Sequence, residues 1–514
     1  MNTDPATPER TAPKPGATVT DVDAIVVGAG IAGIAAAARL RRSGVTDVLM
    51  LERGHDIGGT WRDNVYPGVA CDIPSHLYSF SFRPNPGWSR RFSPGAEIQE
   101  YLRTVVRDEG LTPQILLRTD VTAMTWHDAD ARWLLTTSRG DYRCRVLIVA
   151  AGRLSEPHLP DLPGLDTFTG TALHSSAWIP DLDLSGARIA VVGTGASAVQ
   201  LVPELARVAS RTTVFQRTAP YVVPRADAAI PPDARAEFAR HPDALNTHRE
   251  ALFHEFEAGH AARVAAGPER DSLRRLALDH LAAQVPDPQL RAQLTPDYEI
   301  GCKRVLLSDD YYPVLASDAA HLEPSAIVAV DGDEAVAASG RRFPVDVIVF
   351  ATGFASTRPP FAERVRGRDG ELLADHWAEG MTAFASMLVA GFPNLLVLDG
   401  PNAALGHNSA FAMIEAQAEV AAGLIARLLA AGADDARDGT ELLETSVADE
   451  AAWTQQIDAA ASGTVWLSGC RSWYVDERSG RLTLLWPGTA TEFRDALLVA
   501  AEQLTVSARP LPAA

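Results

Sequence analysis

Apolar and small residues follow one another in the same order at two places along this chain. From Asp23 to Gly44, in DAIVVGAGIAGIAAAARLRRSG, a β-branched run ends in Gly28-x-Gly30-x-x-Gly33 and continues as an alanine-rich stretch. From Ala187 to Ala206, in ARIAVVGTGASAVQLVPELA, the order recurs with Gly193-x-Gly195-x-x-Ala198. A short apolar run closed by a glycine turn predicts a buried parallel-type strand, and the alanine-rich continuation predicts a helix. Two more such runs, CRVLIVAAG ending at Gly152 and VDVIVFATG ending at Gly353, carry small residues at their ends. They lie before and after the second unit, which predicts a nested layout. Between about 230 and 296, Ala, Arg, Glu and His recur at helical spacing with Pro breaks, predicting a helical insertion. Its histidines (His241, His248, His254, His260 and His280) are expected on solvated helix faces.

Length agrees with more than one core, since 514 residues exceed what a single core serves. Hydrophobic residues at 46% and charged residues at 22% are the mix of a soluble globular protein. No apolar run approaches the roughly 20 residues that span a bilayer, so no membrane partner is expected. The polar start has no apolar core behind a basic stretch and predicts a disordered tail, not a secretory leader. The expected location is cytoplasmic. A net charge of −19 opposes nucleic-acid binding. Cys71, Cys144, Cys302 and Cys470 form no CxxC pair, which argues against a metal site and a dithiol centre and predicts four thiols.

Chemistry enters at the glycine turns. A helix that opens on Gly28, Gly30 and Gly33 turns free N–H groups and its positive end towards a pyrophosphate. Glu52 closes the next strand, VLMLE, where a carboxylate accepts hydrogen bonds from a ribose diol. Gly59, after Gly58, adds a second backbone-permissive turn. A lone glycine turn would be weak; these features together predict a first dinucleotide site, the candidate flavin site. In the second unit the strand TTVFQ runs into Arg217-Thr218 with no acidic residue at its end. A carboxylate there would repel a 2′-phosphate and an arginine would hold it, so NADPH is favoured over NADH. Thr194, Gly195, Ser197, Ala198, Gln200, Arg217 and Thr218 are the candidate contacts.

The stretch from Gly58 to Asp72, GGTWRDNVYPGVACD, resembles position for position the flavin-side signature of Baeyer–Villiger monooxygenases, class B flavoprotein monooxygenases. Phe168 to Trp178, FTGTALHSSAW, is similar to that family's linker fingerprint, departing from it where Ile179 precedes Pro180. Segments from Cys302, Gly400 and Ser472 extend the likeness over most of the chain. The resemblance implies an α/β fold of two Rossmann-like dinucleotide-binding domains, the NADP domain nested in the FAD domain. Boundaries follow as a tail over 1–20, FAD domain over 21–155, linker over 156–185, NADP domain over 186–344, and the FAD domain's return with a C-terminal segment over 345–514.

The resemblance also implies the reaction. NADPH reduces FAD, the reduced flavin takes up oxygen, and a flavin peroxide anion attacks a ketone to give an ester or lactone. Negative charge beside the flavin then needs a partner. Arg304 is the implied catalytic cation, always protonated and fork-shaped, and Asp72 the carboxylate that anchors it. Lys303 is implied at the NADP phosphate or ribose, and Trp473 over the nicotinamide. Thr60, Trp61 and Tyr78 are implied beside the flavin, and the Val121 backbone at the adenine. A helix starting near Ser409 would face the reduced flavin, with His407 packing and not catalysing. His174 would couple the domains. The rival readings are an oxygenase of sulfur or nitrogen and, further off, a non-oxygenating NADPH-binding flavoprotein.

Overall fold

The computed structural model of the chain describes residues 19–431, 441–504 and 506–508. The tail expected over 1–20 lies outside these up to residue 18, and Thr20 already opens the first strand.

The first sheet begins with β1 (Thr20–Val27), β2 (Val48–Leu51), β3 (Ile115–Leu116), β4 (Val121–His127), β5 (Arg132–Thr137) and β6 (Gly140–Val149). β1 lies between β2 and β6 in parallel register, Val27 opposite both Leu51 and Val149. Both faces of β1 are covered, which is why its middle is a continuous apolar run. β4 and β5 join antiparallel beyond β6. Helix α1 (Ile31–Arg42) buries Ala32, Gly33 and Ala35 to Ala38, and these small residues let it pack closely under the sheet. It ends where Gly44 takes φ 85°, with Arg39, Arg41 and Arg42 facing the negative helix end.

The second sheet is parallel throughout. Its strands β7 (Thr171–His174), β8 (Arg188–Val192), β9 (Arg211–Phe215), β10 (Ala320–Glu323) and β11 (Val347–Phe350) stand in the order β10-β9-β8-β11-β7. Helix α2 (Ala196–Ala206) follows β8. The chain then returns to the first sheet as β12 (Val365–Arg366) beside β4 and β13 (Leu395–Val397) beside β6. The nested α/β layout is therefore present, with two differences in detail. Val347–Phe350, expected to open the return, is a central strand of the second sheet, and Thr171–His174, expected in the linker, is its edge. The runs ending at Gly152 and Gly353 look alike because each ends a buried strand at a glycine turn. Nothing in that local pattern says which sheet a strand joins.

The chain crosses between the two sheets twice, side by side. His158 N–H donates to Gly353 O (2.9 Å) and Ala355 N–H to Glu156 O (3.0 Å). Ser356 Oγ donates to Arg153 O at 2.9 Å. His174 packs its ring on Phe354 at 5.4 Å, beside this double crossing.

The insertion folds as helices, chiefly α3 (Pro242–Ala258) and α4 (Pro268–Gln284). It docks on the first unit instead of standing in solvent. His248 meets His76 at 5.2 Å between ring centres and stacks on Phe238, His260 bonds Pro487 O at 3.0 Å, and His280 bonds Ser308 O at 2.9 Å. These three histidines correct the expectation of solvated faces; His241 and His254 meet it. The long helix α5 (Ala410–Ala431) packs on α1, and α6 (Ala490–Gln503) closes the C-terminal side. Glu257 on α3 accepts from Asn408 Nδ2 (2.9 Å), Ala490 N–H (3.0 Å) and Thr491 N–H (3.1 Å), so it satisfies the open N-terminus of α6. Burial opposes its ionisation, but hydrogen bonds from His407, Asn408 and these amides outweigh it and hold the carboxyl well below its ordinary value. Because the folded value lies below the unfolded one, this stabilisation is present above about pH 4.5 and lost as pH falls further. The melting temperature of Glu257→Gln is expected to fall less steeply than that of wild type as the pH drops below about 4.5.

Candidate active site

β1 hands its last residue to a turn in which only glycine fits. Gly28 has φ 105°, and a Cβ there would stand 2.5 Å from Ala150 O; a Cβ on Gly33 would stand 2.0 Å from Gly28 O. Gly30 and Gly59 face one another across a gap, with a Cβ on Gly59 reaching to 3.2 Å of the Gly30 Cα. The two glycine turns thus form a cradle that side chains would fill. Behind it runs an open cleft along the C-terminal ends of the first sheet's strands. Gly28, Gly30, Glu52, Gly59, Thr60, Tyr78 and Val121 line it, as does Ala410 at the start of α5, whose positive end faces in.

Glu52 is buried at the cleft wall. It accepts from Ala29 N–H (2.9 Å), Gly54 N–H (2.6 Å) and Arg62 Nη1 (2.6 Å). Three of about four lone-pair positions are taken, leaving one for a ribose hydroxyl. Trp61 and Gly33 stand behind the lining. Trp61 Nε1 donates to Tyr78 OH at 3.2 Å and holds that ring at the wall, while Gly33 keeps α1 tight against β1. Val121 O accepts from Arg364 Nη1 at 2.8 Å, so an arginine from the returning chain closes this end.

Four residues that the sequence left unmarked complete the cleft and its far end. Arg153 and Asp399 pair with each other at the wall. Burial raises the Asp399 carboxyl above its ordinary value against the pull of Arg153. Arg62 locks Glu52 and Asp63. Tyr474 is buried, and the charges of Arg304, Asp72 and Arg153 all act on its phenol. Arg153 and Asp399 end strand-like runs, where ligands of such sheets bind, and that was the available signal. Tyr474 had none, because its neighbours come from distant parts of the chain.

Arg304 and Asp72 meet as expected. Nε and Nη2 of Arg304 lie 2.7 and 2.6 Å from the same oxygen, Asp72 Oδ2. The attraction of Asp72 outweighs burial and holds the guanidinium above its already high value. Its other edge is left free to point elsewhere. Each side chain keeps about a quarter of its surface exposed, 28% and 26%, so the pair stands at an opening. Trp473 is 42% exposed and rests on Tyr474 at 4.6 Å.

The second unit gathers its candidates at the C-terminal ends of β8 and β9. Gly193 (φ 114°) allows the turn, and Gly195 faces open space. Thr194 Oγ1 donates to Thr218 O at 2.8 Å, joining the two strand ends. Ala198 is buried against the sheet, as the third position of such a turn requires. Ser197 sits beside it within reach of Tyr66. Gln200 uses its amide on the other unit: Oε1 accepts from Tyr66 OH (2.9 Å) and Nε2 donates to Ala70 O (2.9 Å). It ties α2 to the loop that ends in Asp72. Arg217 is exposed at the strand end, near Lys303. Burial first and the Arg217 charge second lower the Lys303 ammonium, whose Nζ lies 4.7 Å over the Tyr298 ring. Two neighbouring cations beside an open helix end are chemically suited to an anion. Arg217→Ala is expected to raise the KM for NADPH by about 10–100-fold, from about 1.5–3 kcal/mol for a charged hydrogen bond, and to leave that for NADH nearly unchanged.

A family model described as pyridine nucleotide-disulphide oxidoreductase matches residues 25–269. A Baeyer-Villiger monooxygenase of Streptomyces coelicolor is 44% identical to this chain, covering 91% of it and 89% of its own length. This chain belongs to the Baeyer–Villiger monooxygenases. Another such enzyme, from Pseudomonas aeruginosa, is 39% identical over 91% of the chain and 88% of its own length. Among solved structures, closed cyclohexanone monooxygenase matches with a TM-score of 0.84 at 27% identity, covering 96% of this chain and 100% of that one. An oxidized steroid monooxygenase bound to NADP matches at 0.81 and 29%, covering 95% and 99%. The expected fold, FAD and NADPH dependence and monooxygenase class are borne out.

Two expectations of absence need restating. The cysteines are not four thiols: Cys302 and Cys470 are joined in a disulfide, while Cys71 and Cys144 are free and buried. A separation of 168 residues leaves no spacing signal for such a bond. Among the described residues, no helix is long and apolar enough to cross a membrane, and no group of three His, Cys, Asp or Glu side chains is placed to hold a metal.

Proposed function

We propose that this monooxygenase inserts one atom of O2 between a ketone carbonyl and its neighbouring carbon, giving an ester or lactone, with Arg304 and Asp72 as its central pair. Bound FAD supplies hydride uptake from NADPH and the activation of oxygen. The residues supply the rest. Arg304 offers its free N–H groups to negative charge that develops on the reacting oxygen and on the carbonyl oxygen. Asp72 fixes the guanidinium plane by binding its Nε edge and neutralises it before charge arrives. Tyr474 and the buried pair Arg153–Asp399 close the ground between Arg304 and the cleft, which keeps water away from that charge.

The observation that carries this reading is the anchored guanidinium itself. An oxygenase of sulfur or nitrogen transfers oxygen as an electrophile and has no need of a cation held against growing negative charge. Lys303 and Arg217 are assigned to the NADPH phosphates or ribose, Trp473 to covering the nicotinamide, and the crossing at His174 to the motion between units. A reducing cytoplasm that supplies NADPH is the compartment this chemistry calls for. Purified holoenzyme with NADPH and oxygen should convert members of a panel of linear, cyclic and aryl ketones to esters or lactones. Sulfoxide from a thioether with no ester from any ketone would overturn the assignment.

A further inference from the structure

We propose that Cys302 and Cys470 are a redox-modification site, a dithiol–disulfide pair oxidised by peroxide and reduced by dithiols, that sets how firmly the Arg304 loop is held. The inference goes beyond the oxygenation reading and rests on it for the role of Arg304.

The bond has an informative position. Cys302 lies two residues before Arg304 and one before Lys303, and Cys470 lies three residues before Trp473. It therefore joins the loop of the second unit that carries both cations to the C-terminal segment that carries Trp473 and Tyr474. Cys302 is fully buried in a small apolar cluster with Ala404, Val465, Trp466, Tyr474 and Leu482. That cluster draws residues from the first unit and the C-terminal segment, so the bond sits where these parts of the chain pack on the Arg304 loop. On the other side of the bond the chain is exposed: Leu467 and Trp473 are 38% and 42% exposed, and Ser468, Gly469 and Arg471 are exposed as well. An exposed segment with few buried contacts is the kind that opens locally. The disulfide ties it shut, and reduction leaves it held by the apolar cluster alone.

The same asymmetry directs the chemistry. Cys470 is only half-buried, so an incoming thiolate reaches its sulfur and expels the thiolate of Cys302. Lys303 and Arg304 follow Cys302 directly in the chain, and their positive charge favours the leaving thiolate. The Cys302 thiolate takes up a proton, and the second thiol of the reductant displaces Cys470 from the mixed disulfide. In the reverse direction, one thiolate attacks hydrogen peroxide, breaking its O–O bond to give a sulfenic acid and hydroxide, which takes up a proton to become water. The other thiol then displaces a second water as the S–S bond forms. Disulfides are rare in a reducing compartment, so a bond at this junction would report oxidant there. Hydrogen peroxide is what a flavin oxygenase releases when oxygen transfer fails.

The test uses holoenzyme as isolated in air, after dithiothreitol, and after reoxidation with dilute hydrogen peroxide. Alkylation in denaturant followed by mass measurement should count two thiols in the first and third samples and four in the second. Limited proteolysis of the native protein should cut within 467–473 at least tenfold faster in the four-thiol form. The ester formed per NADPH oxidised should fall at least threefold on reduction and recover on reoxidation. Cys302→Ser and Cys470→Ser should both match the reduced form and ignore dithiothreitol; should either fail to fold, the oxidised and reduced wild type decide the matter. Four thiols after peroxide treatment, or equal proteolysis and equal coupling in the two-thiol and four-thiol forms, would overturn the proposal. If neither form makes ester while the thiol count and proteolysis still respond, the oxygenation reading falls and the clamp stands.

Discussion

Arg304→Ala is expected to lower ester formation by about 10²–10³-fold while flavin reduction by NADPH stays within a few-fold of wild type. The two steps ask different things of the protein. On the proposed assignment, hydride delivery depends on the nucleotide turns and on the cations Lys303 and Arg217. On the same assignment, oxygen insertion builds negative charge beside Arg304. Without the guanidinium, electrons from NADPH pass to oxygen and leave as hydrogen peroxide, so NADPH oxidation and ester yield part company. Arg304→Lys keeps a charge but loses the planar fork and its two contacts to Asp72 Oδ2, and should fall between. The effect will not be unfolding in disguise. Asp72 keeps about a quarter of its surface exposed, so water takes over its lost contact at a cost of about 1 kcal/mol or less. Stopped-flow absorbance of the flavin against product per NADPH separates the steps. Undiminished ester yield would remove Arg304 from the chemistry.

The parts legible in the sequence are those whose physics is local. A strand, a glycine turn and a helix lie within some twenty residues of one another, so both nucleotide units and Glu52 were readable from spacing. The insertion helices were readable from periodicity. What crossed the chain was not. Val347–Phe350 sits in the second sheet because of its partners Ile189–Val192, which no pattern inside the run specifies. His248 and His260 read as solvated because the surfaces they meet, His76 and Pro487, come from another unit. The Cys302–Cys470 bond and the approach of Tyr474 to Arg304 are of the same kind. Arg304 and Asp72, 232 residues apart, were paired only through family likeness. Gln200 was read as a nucleotide contact because of its place on α2, and its amide is instead engaged with Tyr66 and Ala70. That contact fastens the two units at the very loop which ends in Asp72.

Gly30→Ala and Gly33→Ala are expected to fail for different reasons, and the difference tests the flavin cleft. At Gly33 a Cβ would stand 2.0 Å from the carbonyl oxygen of Gly28 and 3.0 Å from its carbon. Both are backbone atoms in the turn that joins β1 to α1, so neither can swing aside, and α1 must lift from the sheet. Overpacking typically costs about 1–3 kcal/mol; with backbone on both sides the upper end or more is expected, seen as a large fall in melting temperature with or without FAD. At Gly30 the backbone has φ −79° and ψ −167°, which any residue adopts, and the nearest atom to a Cβ is the Gly59 Cα at 3.7 Å. The protein itself has room for that methyl group. Its cofactor would not, if the pyrophosphate lies between the two glycine turns. Apo Gly30→Ala should therefore melt with apo wild type, while FAD affinity falls roughly 10–100-fold, the same 1–3 kcal/mol now charged to the ligand. Titration of apo-protein with FAD, followed by flavin fluorescence, measures it. Equal FAD affinity in Gly30→Ala and wild type would move the pyrophosphate away from the Gly30–Gly59 gap and take the flavin out of this cleft.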